Sequence, residues 1–106
     1  MVTEDDVNYA FKLAKDTREG VFKAYEALHK VQREYQEEKV SFITRGLQGT
    51  NETARKAEIE EHLLQDQGYV DEAQKMVDLR TCEYEMARFE VQRVQLLVSL
   101  FALPKE

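Results

Sequence analysis

The chain has 106 residues, of which 34% are charged and 42% hydrophobic, and it contains one proline and no tryptophan. A chain of this length forms one domain, has little room for both a packed core and an enclosed active site, and with so few turn formers favours helices. Its 21 acidic against 15 basic side chains give a net charge of −6, which repels a phosphate backbone and makes nucleic-acid binding an unfavoured function.

The first predicted helix spans about residues 4–45. Thr3 can cap its start, and the acidic residues 4–6 suit the positive end of a helix dipole. Apolar or small residues then recur every seven positions, which is typical of a helix that packs one stripe against a partner helix. This stripe consists of Val7, Ala14, Val21, Leu28, Tyr35 and Phe42.

Residues 46–51 carry the densest turn chemistry of the chain. Gly46 or Gly49 can adopt the positive φ that ends a helix, and Thr50 or Asn51 can cap the helix that follows. The segment therefore predicts the turn of a hairpin, with two candidates for each role.

A second helix is predicted from about residue 52 to residue 103. Its heptad stripe consists of Leu63, Val70, Val77, Tyr84, Val91 and Val98. Gly68 is a candidate kink, although the seven-residue step from Leu63 to Val70 favours a continuous helix. Pro104 ends the helix, because the residue before a proline avoids the helical region.

The two stripes predict an all-α fold: a long antiparallel two-helix hairpin of the coiled-coil type, forming one domain over residues 1–106. Pairing from the turn outward places Phe42 near Lys56, Leu28 near Val70 and Val7 near Val91. The second helix then extends beyond the start of the first.

The extension is apolar on nearly every side, and a helix of this kind is normally buried. We therefore predict an association surface at the end of the second helix and a dimeric four-helix bundle, with a dimer or tetramer of this chain as the expected assembly and another protein as the alternative partner. The predicted surface consists of Val94, Leu96, Leu97, Val98, Leu100, Phe101 and Leu103.

Carboxylates on both sides of the turn offer the one alternative in catalysis. Residues 34–38 and 58–61 include six glutamates, and their arrangement resembles the paired Glu-x-x-Glu helices with which all-α nucleotide pyrophosphohydrolases hold magnesium. Most of them point outward by heptad position, so a charged solvated face is the preferred interpretation. The sequence predicts no catalytic, cofactor-binding or metal-binding residue, and Cys82 is interpreted as a passive thiol.

The segment Gly-Leu-Gln-Gly-Thr-Asn-Glu-Thr-Ala-Arg-Lys-Ala, from Gly46 to Ala57, resembles the turn of short coiled-coil proteins of unknown function encoded by phages and prophages. The resemblance implies that Asn51 caps the second helix and that the partner is a host or phage protein. A second resemblance is to the secreted Trp-x-Gly helical hairpins of type VII export, whose turn motif lies where Leu47-Gln-Gly49 lies here. The tryptophan of that motif is missing.

We expect a cytoplasmic location. The acidic start of the chain is unlike a signal peptide, and a single cysteine forms no internal disulfide. The apolar run of residues 94–103 is about half the roughly 20 residues that a membrane-spanning helix needs. The predicted function is that of a non-enzymatic, oligomeric helical hairpin that binds a protein.

Overall fold

The computed structural model describes residues 2–102, with side chains up to Phe101. Its helices are α1 (Glu4–Thr44), α2 (Glu52–His62) and α3 (Leu64–Ala102). Within residues 2–102 all regular secondary structure is helical, so the predicted all-α fold is confirmed.

Helix α1 begins with a reciprocal cap. The Asp6 backbone N–H donates to Thr3 Oγ1 at 3.2 Å, and the Thr3 backbone N–H donates to Asp6 Oδ2 at 2.9 Å. Each side chain thus satisfies a backbone donor that the first helical turn leaves without a partner. The backbone bond from Thr3 is the largest cause of a lowered pKa at Asp6, to which the charge of Arg93 also contributes.

The second predicted helix is two helices that meet at Leu63. Leu63 has φ −96° and ψ 7°, yet its N–H still donates to the Ile59 carbonyl at 3.0 Å and its carbonyl accepts from the Gln67 N–H at 2.8 Å. The deviation is therefore local, and it places the Leu63 side chain in the interior with 1% exposed. Gly68, the kink candidate, lies inside α3, where a helix needs no glycine.

The backbone contacts group the residues into two compact units. The turn-proximal unit comprises residues 24–77 and consists of the second half of α1, the turn, α2 and the start of α3. Its buried cluster is formed by Ala24, Leu28 and Val77, against which Val31, Val70 and Ala73 pack. Leu28, Val70 and Val77 are predicted stripe positions, so antiparallel pairing of the two stripes is confirmed here. Val70 packs against the cluster that contains Leu28, its predicted partner.

The pairing predicted for Phe42 is wrong. Phe42 stacks on the ring of His62 rather than lying near Lys56. Lys56 instead lines a groove with Tyr35 and Lys39 of α1. The loop between α1 and α2 folds back along α2, where the backbone N–H groups of Gln48 and Gly49 donate to the Glu58 carboxylate.

The second unit, which we call the terminal unit, pairs the start of α1 with residues 78–102 of α3. Its buried side chains are Ala10, Ala87 and Val94, at 1 to 2% exposed. Two of these are alanines, so this helix pair buries little apolar area by itself. A Cβ added to Gly20 would lie 3.7 Å from Arg80 Cδ, so the glycine lies next to the stem of that arginine.

Candidate association surface

The predicted association surface is exposed in the structure at most of its positions. Leu96 and Phe101 are each 62% exposed, Leu100 is 56% and Val98 is 42% exposed, and Leu97 is half-buried. Val94 differs from the others because it is buried within the terminal unit at 2% exposed. Leu103 lies outside the described residues.

The exposed apolar surface of α3 begins at Leu79, earlier in the helix than the predicted surface, which begins at Val94. Leu79 is 51% exposed, Met86 67% and Phe89 68%, and Cys82 is exposed as well. A signal for these residues was available, since they are spaced three and four apart like a second heptad stripe. The first stripe alone is enough to predict a helix here, so the second stripe adds nothing to the prediction of the fold.

A groove between α1 and α3 adjoins this surface in the terminal unit. Tyr9, Leu13 and Thr17 form its α1 side, and its α3 side is formed by Met86 and Ala87 with Glu83 and Glu90. Tyr9 is 66% exposed at the rim, and the Thr17 hydroxyl donates to the Leu13 carbonyl at 2.7 Å. With that hydroxyl bonded internally, the groove offers a mostly apolar lining to a docked side chain.

Glu90 and Arg93 are two charged residues within the exposed surface of α3, and they bind each other. The Arg93 Nε donates to Glu90 Oε2 at 3.0 Å, and this hydrogen bond is the largest cause of a lowered pKa at Glu90 and a raised pKa at Arg93. Both side chains are solvated, so the pair contributes little to stability. The pair neutralises two charges within this surface.

The turn is built by three of the four predicted residues. Gly46 has φ +99° just after α1, and the Asn51 side chain caps α2 by accepting from the Ala54 N–H at 2.8 Å. Gly49 packs against α2, where an added Cβ would lie 2.8 Å from the Arg55 backbone nitrogen. Thr50 precedes the cap and is exposed. No local sequence signal marks the role of Glu58, because the bonds of its carboxylate to the loop amides depend on how the loop folds.

The carboxylates near the turn do not converge on one point. Glu38 binds His62 at 2.8 Å and Arg45 at 3.0 Å, while Glu58 binds the loop amides. Glu34, Glu37 and Asp66 line an open groove together with Glu38 and His62. Among the described residues, no three His, Cys, Asp or Glu side chains are grouped so that they could hold a metal ion.

Comparisons of the chain with models of protein families, with curated proteins and with solved structures give no match. Within the described part of the chain, no helix carries an apolar stretch long enough to cross a membrane.

Proposed function

We propose that this protein is a non-enzymatic interaction module, a helical hairpin that forms a homo-oligomer through the apolar surface of α3. The observation that carries the proposal is the exposure of Leu96, Leu100 and Phe101, each more than half exposed on one short segment of helix. Large apolar side chains grouped in this way mark interaction sites on soluble proteins.

Much of the large apolar side-chain area of the terminal unit is exposed to water. Full burial of a large apolar side chain stabilises a structure by about 1.5–3 kcal/mol. The terminal unit buries Ala10, Ala87 and Val94, while larger side chains of the same unit stay in contact with water. Association would convert this exposed area into a core, as in bundles assembled from helical hairpins.

The proposal extends to the setting of the protein. Because Cys82 is a free thiol, we place the protein in a reducing cytoplasm. The turn resemblance from Gly46 to Ala57 suggests a phage-encoded protein whose oligomer binds a host or phage protein. The acidic net charge of −6 favours a partner with a basic surface.

The first experiment is the solution mass, measured by light scattering during size-exclusion chromatography with and without magnesium. We expect a dimer or tetramer of unchanged mass in both buffers. A monomer at about 100 μM would contradict the proposal, because that concentration populates any association with a Kd of 1 μM or below. A mass that depends on magnesium would favour the carboxylate-based hydrolase instead.

Two variants test whether the oligomer forms through the exposed segment of α3. The double variant Leu96→Glu, Phe101→Glu places two charges in the exposed segment and is expected to be a monomer with unchanged helical circular dichroism. Val40→Glu is the matched control, because Val40 is also 62% exposed but belongs to the turn-proximal unit. Equal masses for the double variant and the control would contradict an interface at this segment.

A further inference from the structure

Helix α3 carries a second heptad stripe on its solvent-facing side, entirely within the terminal unit. Its steps alternate between three and four residues, the spacing that keeps side chains facing a partner helix. We call it the outer stripe. It consists of Leu79, Cys82, Met86, Phe89, Arg93, Leu96 and Leu100.

The outer stripe is separate from the stripe that packs on α1. Phe89 follows the buried Ala87 by two residues, which turns it about 200° around the helix axis. The exposures agree, since Ala87 is 2% and Phe89 68% exposed. One helix thus carries two packing faces, and only one of them is occupied within residues 2–102.

We propose that a second copy of this chain covers the outer stripe by packing its own α3 against it in antiparallel orientation. This inference rests on the proposed function and names the contact that produces the oligomer. In the alignment that pairs residues 82–100 of the two stripes, Met86 of one copy faces Leu96 of the other, Phe89 faces Arg93, and Cys82 faces Leu100.

The charges beside the stripe favour the antiparallel orientation. The positions that flank it are acidic in its first half, at Asp78, Glu83, Glu85 and Glu90, whereas the flanks of its second half are Gln92, Leu97 and Ser99. A parallel pair would place Asp78 opposite Glu83 and Glu85 opposite Glu90, twice each by symmetry, and like charges across a helix interface destabilise it.

An antiparallel pair places the acidic half of one stripe against the uncharged half of the other. The remaining acidic contact is Glu90 against Glu90 at the two-fold axis. Within each chain Arg93 binds Glu90 at 3.0 Å and Arg80 binds Glu83 at 2.9 Å, so these glutamates are partly neutralised in either orientation. The parallel pair still makes four acidic contacts and the antiparallel pair makes one. The same alignment sets the Arg93 guanidinium beside the Phe89 ring of the other copy, a favourable cation–π geometry.

The exposed apolar area is close to what a stable dimer buries. The large apolar members of the stripe, with Tyr9 and Phe101, are 51 to 68% exposed. At roughly 100 Å² of exposed area for each side chain, about half of what a large aromatic residue buries, they offer about 700 Å² per copy. Stable interfaces bury about 800 Å² per partner. Met86 lines both the stripe and the groove beside Tyr9, so a docked helix covers part of the groove too.

The native thiol allows a direct test of orientation. In a parallel pair Cys82 of one copy faces Cys82 of the other, whereas in the antiparallel alignment the two lie about 27 Å apart along the axis, at 1.5 Å per residue. A disulfide needs Cα atoms within about 7 Å. The variant Leu100→Cys instead places a thiol opposite Cys82 of the other copy in the antiparallel pair only.

The experiment is mild oxidation of the purified full chain, followed by non-reducing electrophoresis and mapping of the linked peptides. We expect the Leu100→Cys variant to form a link between Cys82 and position 100 of two chains, and the native chain to stay unlinked. Gln95→Cys is the control for random collision, because Gln95 is exposed but lies off the stripe. A Cys82–Cys82 link in the native chain would mean parallel pairing and overturn the inference.

A side-chain test accompanies the thiol test. Phe89→Glu should convert the oligomer to a monomer, whereas Phe22→Glu should leave its mass unchanged, since Phe22 is 58% exposed on α1 and outside the stripe. An oligomer that survives Phe89→Glu and gives no 82–100 link would overturn the inference while leaving the proposed function intact. A native monomer in light scattering would overturn both.

Discussion

The imidazole ring of His62 stacks on the phenyl ring of Phe42, with ring centroids 3.8 Å apart and ring planes 4° from parallel. The same imidazole donates from Nε2 to Glu38 Oε1 at 2.8 Å. Glu38 also accepts from Arg45, whose guanidinium lies 5.8 Å from the Phe42 ring centroid. These four side chains join the end of α1 to the end of α2.

The Glu38–His62 contact should make stability depend on pH in the acid range. The hydrogen bond from His62 is the largest cause of a pKa at Glu38 below its ordinary value of 4.5. A lowered pKa in the folded state stabilises it above the ordinary value, and this stabilisation is lost as the pH falls through the lowered pKa. Glu38→Gln should therefore lower the thermal midpoint at pH 7, and its difference from the native chain should shrink below pH 4.5.

The measurement is thermal unfolding by circular dichroism between pH 3 and pH 7. Glu37→Gln is the control, since Glu37 is the exposed neighbour on the same helix, and its midpoint should follow that of the native chain. A Glu38→Gln difference that stayed constant across this range would rule out the charged form of Glu38 as its source.

The neighbouring residues Leu63 and Leu64 should respond oppositely to truncation. Leu63 is 1% exposed and Leu64 is 73% exposed. Because it removes a buried side chain, Leu63→Ala should lower the free energy of unfolding by about 2–5 kcal/mol. Leu64→Ala should change it by less than about 0.5 kcal/mol. Urea unfolding measures both, and similar losses would mean that Leu63 does not form part of a packed core.

The heptad spacing predicted the fold because it records which side chains meet a partner helix. Leu28 and Val77 are predicted stripe positions, and together with Ala24 they form the buried cluster of the turn-proximal unit. Period and residue type determine such contacts without knowledge of the rest of the chain.

The features that sequence reasoning missed depend on contacts between distant residues. The Phe42–His62 stack and the bonds from the loop amides to Glu58 join residues that are distant in the chain, and no local sequence pattern specifies them. The spacing around Leu63 does not mark the break there either. The outer stripe was present in the spacing of α3, but exposure was needed to separate it from the buried stripe. Val94 was predicted as part of the association surface but is buried. An apolar run alone does not say which of its members pack inward.

Replacement of glycine by alanine should destabilise the fold at Gly46 and Gly49 and stabilise it at Gly68. Gly46→Ala forces alanine to φ +99° and should cost about 1–2 kcal/mol, the penalty of left-handed backbone for a residue with a Cβ. Gly49→Ala places a Cβ 2.8 Å from backbone nitrogen and should destabilise as well. Gly68→Ala meets no atom within 4 Å inside α3 and should stabilise by about 0.5–1 kcal/mol. Urea unfolding of the three variants checks this order, and a stabilising Gly46→Ala would contradict the turn conformation.

Asn51 and Thr50 provide a test of which residue caps α2. The Asn51 side chain accepts from the Ala54 N–H at 2.8 Å, so Asn51→Ala should remove a helix cap and cost about 1 kcal/mol. Thr50→Ala should leave the free energy of unfolding nearly unchanged, because Thr50 is an exposed residue before the cap. Asn51→Asp should retain the cap, since a carboxylate also accepts from the first turn and its charge suits the helix dipole. A larger loss for Thr50→Ala than for Asn51→Ala would reassign the cap.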